Sequence, residues 1–406
     1  MRLIYIHQYF RTPDQGGAVR SYHLAKGLVD AGIGVELITA HDEAHYDQRW
    51  IDGIRVHYLP VSYNQKFGFL KRILAFWLFV IKAENLIKKL PRPDLLYITS
   101  TPLTTGWIGL WAKKRLALPY IFEVRDLWPE APIQVGAIRN PMAKSLLYRF
   151  EKRVYDQALS LVALSPGIAA HLKATSPFRE VALIPNFADL DTFFPKEKNL
   201  NLRKSLPFSD GLTIAYTGAL GQVNAVEELL DLAEMAQNHR KNWNFLIMGE
   251  GSRSENLWEI SQSKGLANVR FFPFGSKEKV NEILSLADFA WISFAHLPVL
   301  KTNSPNKFFD ALAAGKAILV NHKGWVYDLM KAHHLGISCL PGKMNSAFAK
   351  LEKLAENPAE MNRMGRNARK LAETYFSKEI AIDRLLHVIK PQPQSTQADE
   401  VGIRTA

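Results

Sequence analysis

The sequence predicts an α/β protein built from two Rossmann-like halves that face a cleft, each a mostly parallel sheet covered by helices. Three observations carry that expectation. Short β-branched or apolar runs alternate with segments of helical period. The alternation halts in a polar stretch at 194–210 and then restarts. A chain of 406 residues, at about 150 per domain, leaves room for two to three domains. The composition, 47% hydrophobic and 22% charged, is that of an ordinary globular protein and excludes disorder, collagen or coiled coil as a global description.

In the first half, residues 3–6, 35–39, 54–59, 95–99, 120–123, 160–164 and 182–185 read as strands, and 18–31, 102–118 and 142–157 carry helical spacing. Residues 196–209, rich in Lys, Asn and Pro, are the natural linker. The second half alternates strands at 213–217, 244–248, 269–274, 289–293, 317–321 and 336–340 with helices at 226–238, 252–264, 277–287, 307–314 and 326–333. The chain is then helical to about residue 389. The expected division is 1–195, 196–376, a helix at 377–390, and a Pro/Gln/Thr tail at 391–406 expected to be disordered.

The lone cysteine, Cys339, permits no internal disulfide and no thiolate cluster, which points to a reducing, cytoplasmic setting. Met1–Ile6 lacks a signal-peptide core and reads as a first strand. The longest apolar run, 73–81, falls well short of the ~20 residues that span a bilayer. A net charge of +12 suits an anionic partner. Nucleic acid is not expected, because zinc-finger spacing, RNA-binding glycine–aromatic motifs and basic heptads are missing from the sequence.

Ligands of open parallel sheets sit beyond the carboxyl ends of strands, so chemistry should be written in the segments just after them. After the first strand, Gly16–Gly17 precedes a helix, an arrangement that lets backbone N–H groups approach a phosphate or acceptor; a plain tight loop is the alternative. After 120–123, Glu123, Asp126 and Glu130 surround Arg125. Asp126 is the acid/base candidate there, set against an ion pair that merely caps the next element. Gly218–Ala219–Leu220–Gly221 is a turn opening a helix, weak by itself. Gly249–Glu250–Gly251 starts like a dinucleotide fingerprint but has Ser254 where the third glycine belongs, which disfavours a nicotinamide enzyme. The strongest segment runs from Lys301 to Lys316: Ser304–Pro305 reads as a helix start, Lys307 would face an anion, and Asp310, one turn on, could accept from sugar hydroxyls. Asp189–Leu190–Asp191 mimics a metal-holding triplet, but its place beside the linker suits a cap at the inter-domain crossing, and no metal or other cofactor is expected.

Gly16–Gly17, Thr99–Ser100–Thr101–Pro102–Leu103, Glu123 through Glu130, Ile184–Pro185–Asn186 and Ser304 through Lys316 together resemble glycosyltransferase family 4, retaining nucleotide-sugar transferases of the GT-B fold. Within it they look closest to bacterial O-antigen and cell-envelope enzymes of the N-acetyl-L-fucosamine transferase type. The resemblance implies a UDP-sugar donor in the second half, with Gly218, Gly249 and Glu250 lining the site and Phe274, Gly275 and Ser276 near the base. It puts Asp310 at the ribose and Lys301, Thr302, Asn306 and Lys307 at the diphosphate end. The first half would hold a polyprenyl-diphosphate-linked saccharide, with Gly16 and Gly17 near phosphate and Arg125 and Asp126, with Lys307 opposite, at the reacting centre. The last helix would return to the first half.

Two departures stand out. The family's E-x7-E motif reads Thr302-x7-Asp310, and the basic pair expected between Gly218 and Glu228 is replaced by Gln222 and Asn224. Diphosphate neutralisation would fall to Lys301 and Lys307, with Arg253 a further candidate. These departures leave open a non-catalytic nucleotide-sugar-binding or scaffolding subunit as the alternative function.

Residues 66–92 hold seven basic side chains against Glu84 alone, around the apolar run. A helix of this kind could lie on an anionic membrane surface through Lys71, Arg72, Phe76 and Trp77, with Lys66, Phe67 and Phe69 alongside; a core helix with a solvated basic side is the alternative. The expected location is the cytoplasm, peripherally bound to the inner face of the membrane.

Overall fold

The computed structural model describes residues 1–63, 67–204, 206 and 210–390. Its first sheet has eight strands: β1 (Arg2–Ile6), β2 (Gly34–His41), β3 (Asp47–Ile51), β4 (Ile54–Pro60), β5 (Leu95–Thr99), β6 (Tyr120–Val124), β7 (Leu161–Ala163) and β8 (Val181–Leu183). They lie in the order β3-β4-β2-β1-β5-β6-β7-β8. The second sheet has six: β9 (Thr213–Thr217), β10 (Asn244–Met248), β11 (Val269–Phe272), β12 (Phe289–Ile292), β13 (Ala317–Val320) and β14 (Gly336–Ser338), ordered β11-β10-β9-β12-β13-β14 and parallel throughout. Every residue of β5, β6, β9 and β10 is buried, as a sheet covered by helices on both faces demands. In both lobes the strand order reverses about the first strand, so the carboxyl ends of β1 and β9 mark the crevice where a ligand would sit.

The first sheet departs from the expected strands at its edge. β3 pairs antiparallel with β4 across Asp52–Gly53, both in the left-handed region at φ 49° and 82°. That two-residue Asp-Gly turn is a strong hairpin signal that the alternation of longer elements obscured. A helix at Pro166–Thr175, capped by Ser165 Oγ accepting from the Ile168 amide at 3.1 Å, also went unassigned in the sequence.

The final helix, Lys378–Ile389, crosses back to the first lobe. Its Ala381, Leu385 and Ile389 join a core cluster with Leu24 and Leu28 of the helix Arg20–Asp30. The two helices approach so closely at Gly27 that a Cβ there would stand 2.6 Å from Ile382. Lys378 bridges Asp189, at 3.1 Å, and Asp191, so this acidic triplet serves the crossing. The tail at 391–406, for which disorder was expected, lies outside the described residues, as do Lys66 and parts of the linker.

Candidate functional site

The carboxyl ends of β9, β10 and β12 converge on Lys307, in the first turn of the helix Asn306–Ala313. Its ammonium is buried and donates to Ser293 O at 2.8 Å, with Tyr216 OH and Asn224 Oδ1 each at 3.4 Å. The rings of Tyr216 and Phe294 lie 4.6 and 4.5 Å from it. None of these partners carries a formal charge, and burial lowers the Lys307 pKa to about 7. Side chains are disfavoured in both glycine loops beside it, by a clash at Gly249 and by the positive φ of 157° at Gly218. A Cβ on Gly249 would stand 1.8 Å from Gly218 O, and one on Gly218 would meet the Lys307 side chain at 3.5 Å. The Glu250 carbonyl accepts from the Leu220 amide and locks the two loops together.

One turn along, Asp310 is buried against Lys277, whose Nζ stands 2.7 Å from Oδ2. Burial raises the Asp310 pKa, and Lys277 pulls it back. Ser276 caps the helix Lys277–Leu286, and Phe274, just before it, is 37% exposed at the lobe junction.

The first lobe brings its own charges to the ends of β1, β5 and β6. Arg20 reaches Glu123 Oε2 through Nε at 3.1 Å and Nη2 at 2.9 Å, and Tyr97 OH donates to the same oxygen at 2.7 Å. Burial opposes ionisation of Glu123, but Arg20, Arg125 and these hydrogen bonds hold its pKa below the ordinary value. Arg20 also binds the carbonyls of Ile184 and Pro185. Arg125 Nη1 donates to His7 Nε2 at 2.9 Å, which puts the imidazole proton on Nδ1, a buried atom with no partner among the described residues. Burial, then Arg125, pushes His7 well below its ordinary pKa, so it is neutral. Asp126, partly buried, is raised by burial against the pull of Arg125 and Thr101.

The lobes meet at these ends. A Cβ on Gly16, at φ 68°, would stand 2.8 Å from Gly275 O and 3.2 Å from the Phe274 ring. The Arg11 guanidinium lies 5.9 Å from the centre of that ring. Asn186 takes Ser304 Oγ at 3.1 Å through its backbone amide and the Ser304 carbonyl through its side chain. The Gly16–Gly17 loop departs from the sequence expectation in one respect. The helix begins at Arg20, and the Gly16 N–H is already given to Pro13 O at 3.1 Å, so Gly16 acts by close approach across the cleft.

Two expected donor-site groups, Thr302 and Arg253, have partners elsewhere. Thr302 Oγ1 closes its own turn onto Val299 O at 2.7 Å, its carbonyl accepts from Ser165 Oγ, and its methyl faces Gly167 of the first lobe. Thr302 is a lobe-contact residue. Lys301 is exposed and its backbone packs on Gly324. Arg253 pairs with Glu227 Oε1 at 2.6 and 3.1 Å in a partly exposed ion pair. Asn306, Lys307, Asp310, Gly218, Gly249, Glu250, Phe274, Gly275 and Ser276 all lie on the loops and helix starts that follow the second lobe's strands. Sequence reasoning missed Arg20, Lys277 and His7. Lys277 directly follows Ser276, and a cation opening a helix was the available signal.

Comparison with known proteins agrees with this architecture. The family model for the glycosyl transferase 4-like domain matches residues 15–186, and the model for glycosyl transferases group 1 matches residues 197–371. The chain belongs to the GT-B glycosyltransferases. Among curated relatives, the colanic acid biosynthesis glycosyl transferase WcaI of Escherichia coli K12 is 28% identical over 160 residues, 38% of this chain and 36% of that protein. The lipopolysaccharide 1,2-N-acetylglucosaminetransferase of Salmonella typhimurium LT2 is 23% identical over 217 residues, 48% of this chain and 55% of that protein. The matches thus span about half or less of these two relatives. Among solved structures, Anabaena HepE in complex with UDP and glucose superposes with a TM-score of 0.70 at 16% identity, over 97% of this chain and 100% of that one.

On the outer side of this GT-B chain, the helix Phe69–Ile87 corrects one membrane expectation. Phe76 is 8% exposed and stacks on Tyr63 at 5.6 Å, so it belongs to the core. A run that is apolar nearly all round hides which residues face outward. The outward stripe is Leu70, Leu74, Trp77, Leu78 and Ile81, at helical spacing, and Trp77 meets the exposed Trp107 edge-on at 5.7 Å. Lys71 is exposed and Arg72 half-buried, while Lys113, Lys114 and Arg115 are exposed at the end of the neighbouring helix Thr105–Leu116. No helix among the described residues is long and apolar enough to cross a membrane.

Proposed function

We propose that this chain transfers a sugar from a UDP-sugar, an N-acetylated hexosamine or 6-deoxy relative, to a lipid-linked saccharide in bacterial cell-envelope polysaccharide synthesis. The observation that carries this reading is the buried ammonium of Lys307, which only neutral groups surround at the start of a helix, where a diphosphate would supply the missing counter-charge. The UDP bound to HepE and the polysaccharide named for WcaI and the Salmonella relative support the donor and acceptor classes. Asp310 would take the ribose and Phe274–Ser276 the base, while Gly16 closes the first lobe onto them.

In this mechanism the acceptor oxygen forms its bond to the anomeric carbon on the face the diphosphate leaves. The carbon–oxygen bond to phosphate breaks through an oxocarbenium-like state, and the acceptor proton passes to the departing phosphate oxygen. Asp126 orients the hydroxyl, Arg125 fixes its surroundings, and Lys307 with the adjacent helix amides stabilises leaving-group charge. The scheme is written without a metal.

The test is a donor panel scored by thermal shift and by acceptor-dependent UDP release, with Asp310→Ala beside wild type. Transfer with retained anomeric configuration supports the reading. Saturable UDP binding without turnover would instead favour a non-catalytic subunit, and an inverted product would overturn the mechanism.

The acceptor lipid would be met at an anionic membrane through the Leu70–Ile81 stripe and the flanking cations. Sedimentation with anionic liposomes at low salt should capture wild type and leave Leu74→Glu/Trp77→Glu in the supernatant. Equal behaviour of the two would remove the membrane surface from the account.

A further inference from the structure

Lys277 is a residue that packing does not explain. It occupies the first position of the helix Lys277–Leu286, where the helix dipole disfavours a cation, and it is buried, which disfavours any charge. A buried ion pair is weak evidence of stabilisation, because apolar residues of similar volume often serve as well. Its Nζ nevertheless stands 2.7 Å from Asp310 Oδ2 and 5.2 Å from the centre of the Phe193 ring. Among the described residues no donor reaches Asp310 Oδ1. Both side chains line a small, partly open cavity of about 20 Å³ shared with Arg20, His23, Asp189 and Asn306, where the two lobes meet. That is room for about one water molecule, and Val19, Phe187 and Phe193 complete its walls beside the charged groups.

Resting on the UDP-sugar reading above, we propose that Lys277 is a positioning residue of the nucleotide site: its ammonium fixes Oδ2 of Asp310 and leaves Oδ1 to accept a ribose hydroxyl. Lys277 thus sets a preference for ribose through another side chain, without itself gripping phosphate. Burial raises the Asp310 pKa, Asp189 nearby adds to that rise, and the Lys277 ammonium works against both.

The test uses the full chain titrated calorimetrically with UDP, 2′-deoxy-UDP and 3′-deoxy-UDP, from about pH 5.5 to about pH 8. Wild type should bind UDP roughly tenfold tighter than at least one deoxy analogue at every pH, with the affinity for all three weakening together above about pH 7 as Lys307 loses its proton. Lys277→Met should lose roughly tenfold for UDP and lose the ribose preference, and its UDP affinity should fall with acid from a higher pH than in wild type. Lys277→Arg should recover most of both. Retained preference in Lys277→Met, or an equal loss for all three nucleotides, would overturn the proposal, the second result making Lys277 a phosphate ligand. Lys277→Gln serves as the second variant; failure of both uncharged variants to fold would make the pair structural and equally overturn the role. If wild type binds none of the three, the donor reading falls and this inference with it, whereas normal UDP binding with no effect at Lys277 defeats the inference alone.

Discussion

Two buried cations, Arg20 in the first lobe and Lys307 in the second, are held in opposite ways. In the first, Arg20 meets the Glu123 carboxylate, and Tyr97 donates to the same oxygen, so the guanidinium has a resident counter-charge. In the second, Lys307 is as deeply buried yet meets only a carbonyl, an amide oxygen, a phenol and two ring faces. Burial without a counter-charge pulls its pKa to about 7, while Glu123, with its counter-charge, stays below the ordinary carboxylate value. One lobe spends its charges on holding itself and the hinge carbonyls of Ile184 and Pro185. The other leaves a charge for an anion to complete. What separates Arg20 from Lys307 is the presence of a charged internal partner; Lys277, in the same lobe as Lys307, has one in Asp310.

This contrast can be broken most sharply at Glu123. Glu123→Gln removes the partner of a buried guanidinium and should destabilise the first lobe by about 3–5 kcal/mol, read as an early transition in thermal or urea unfolding. UDP affinity of the folded fraction should change less than about twofold, since Glu123 touches no donor-site group. The corresponding change in the second lobe should do the reverse. Lys307→Met should weaken UDP binding by about a hundredfold, roughly 2.7 kcal/mol, with the melting temperature of the ligand-free protein unchanged or raised. A variant that melts earlier but binds normally would put Lys307 in the same class as Arg20.

A smaller effect follows from titration. Lys307 holds its proton less tightly folded, at about 7, than unfolded, near the ordinary lysine value of 10.5. Between those limits the unfolded chain binds more protons, so the destabilisation is complete below pH 7 and is relieved as pH rises, by at most about 1.4 kcal/mol per unit. Lys316, lowered to about 8 by burial, adds a slope of the same sign above that pH. The difference between wild type and Lys307→Met therefore isolates the Lys307 share, and denaturant midpoints taken across this range should converge as pH rises. Parallel curves would mean that Lys307 is charged in both states throughout.

Much of this architecture was legible in the sequence because its signals are local. Strand runs such as 213–217 and 244–248, the restart after the linker, and the Ser304–Pro305 helix start all depend on neighbours along the chain. Asp52–Gly53 was equally local and was passed over because a long parallel alternation directs attention away from a short antiparallel edge. What stayed hidden required knowing which face a residue turns. Phe76 and Leu74 are indistinguishable in an apolar run, yet one stacks on Tyr63 and the other is 67% exposed. Thr302 sits where a family motif places a donor contact, but its turn packs on Ser165 and Gly167 of the opposite lobe, a pairing across 137 residues that no spacing encodes. Lys277 and Arg20 become informative only once their distant carboxylates are known.

The central claim is that the diphosphate completes the unpartnered charge of the second lobe. A crystal structure with bound UDP tests it most directly. The account predicts a phosphate oxygen within hydrogen-bond reach of Lys307 Nζ and of the amides opening the helix Asn306–Ala313. Ordered nucleotide with its phosphates on Arg125 or on the Lys113–Arg115 surface, and Lys307 still turned to Ser293, would contradict it.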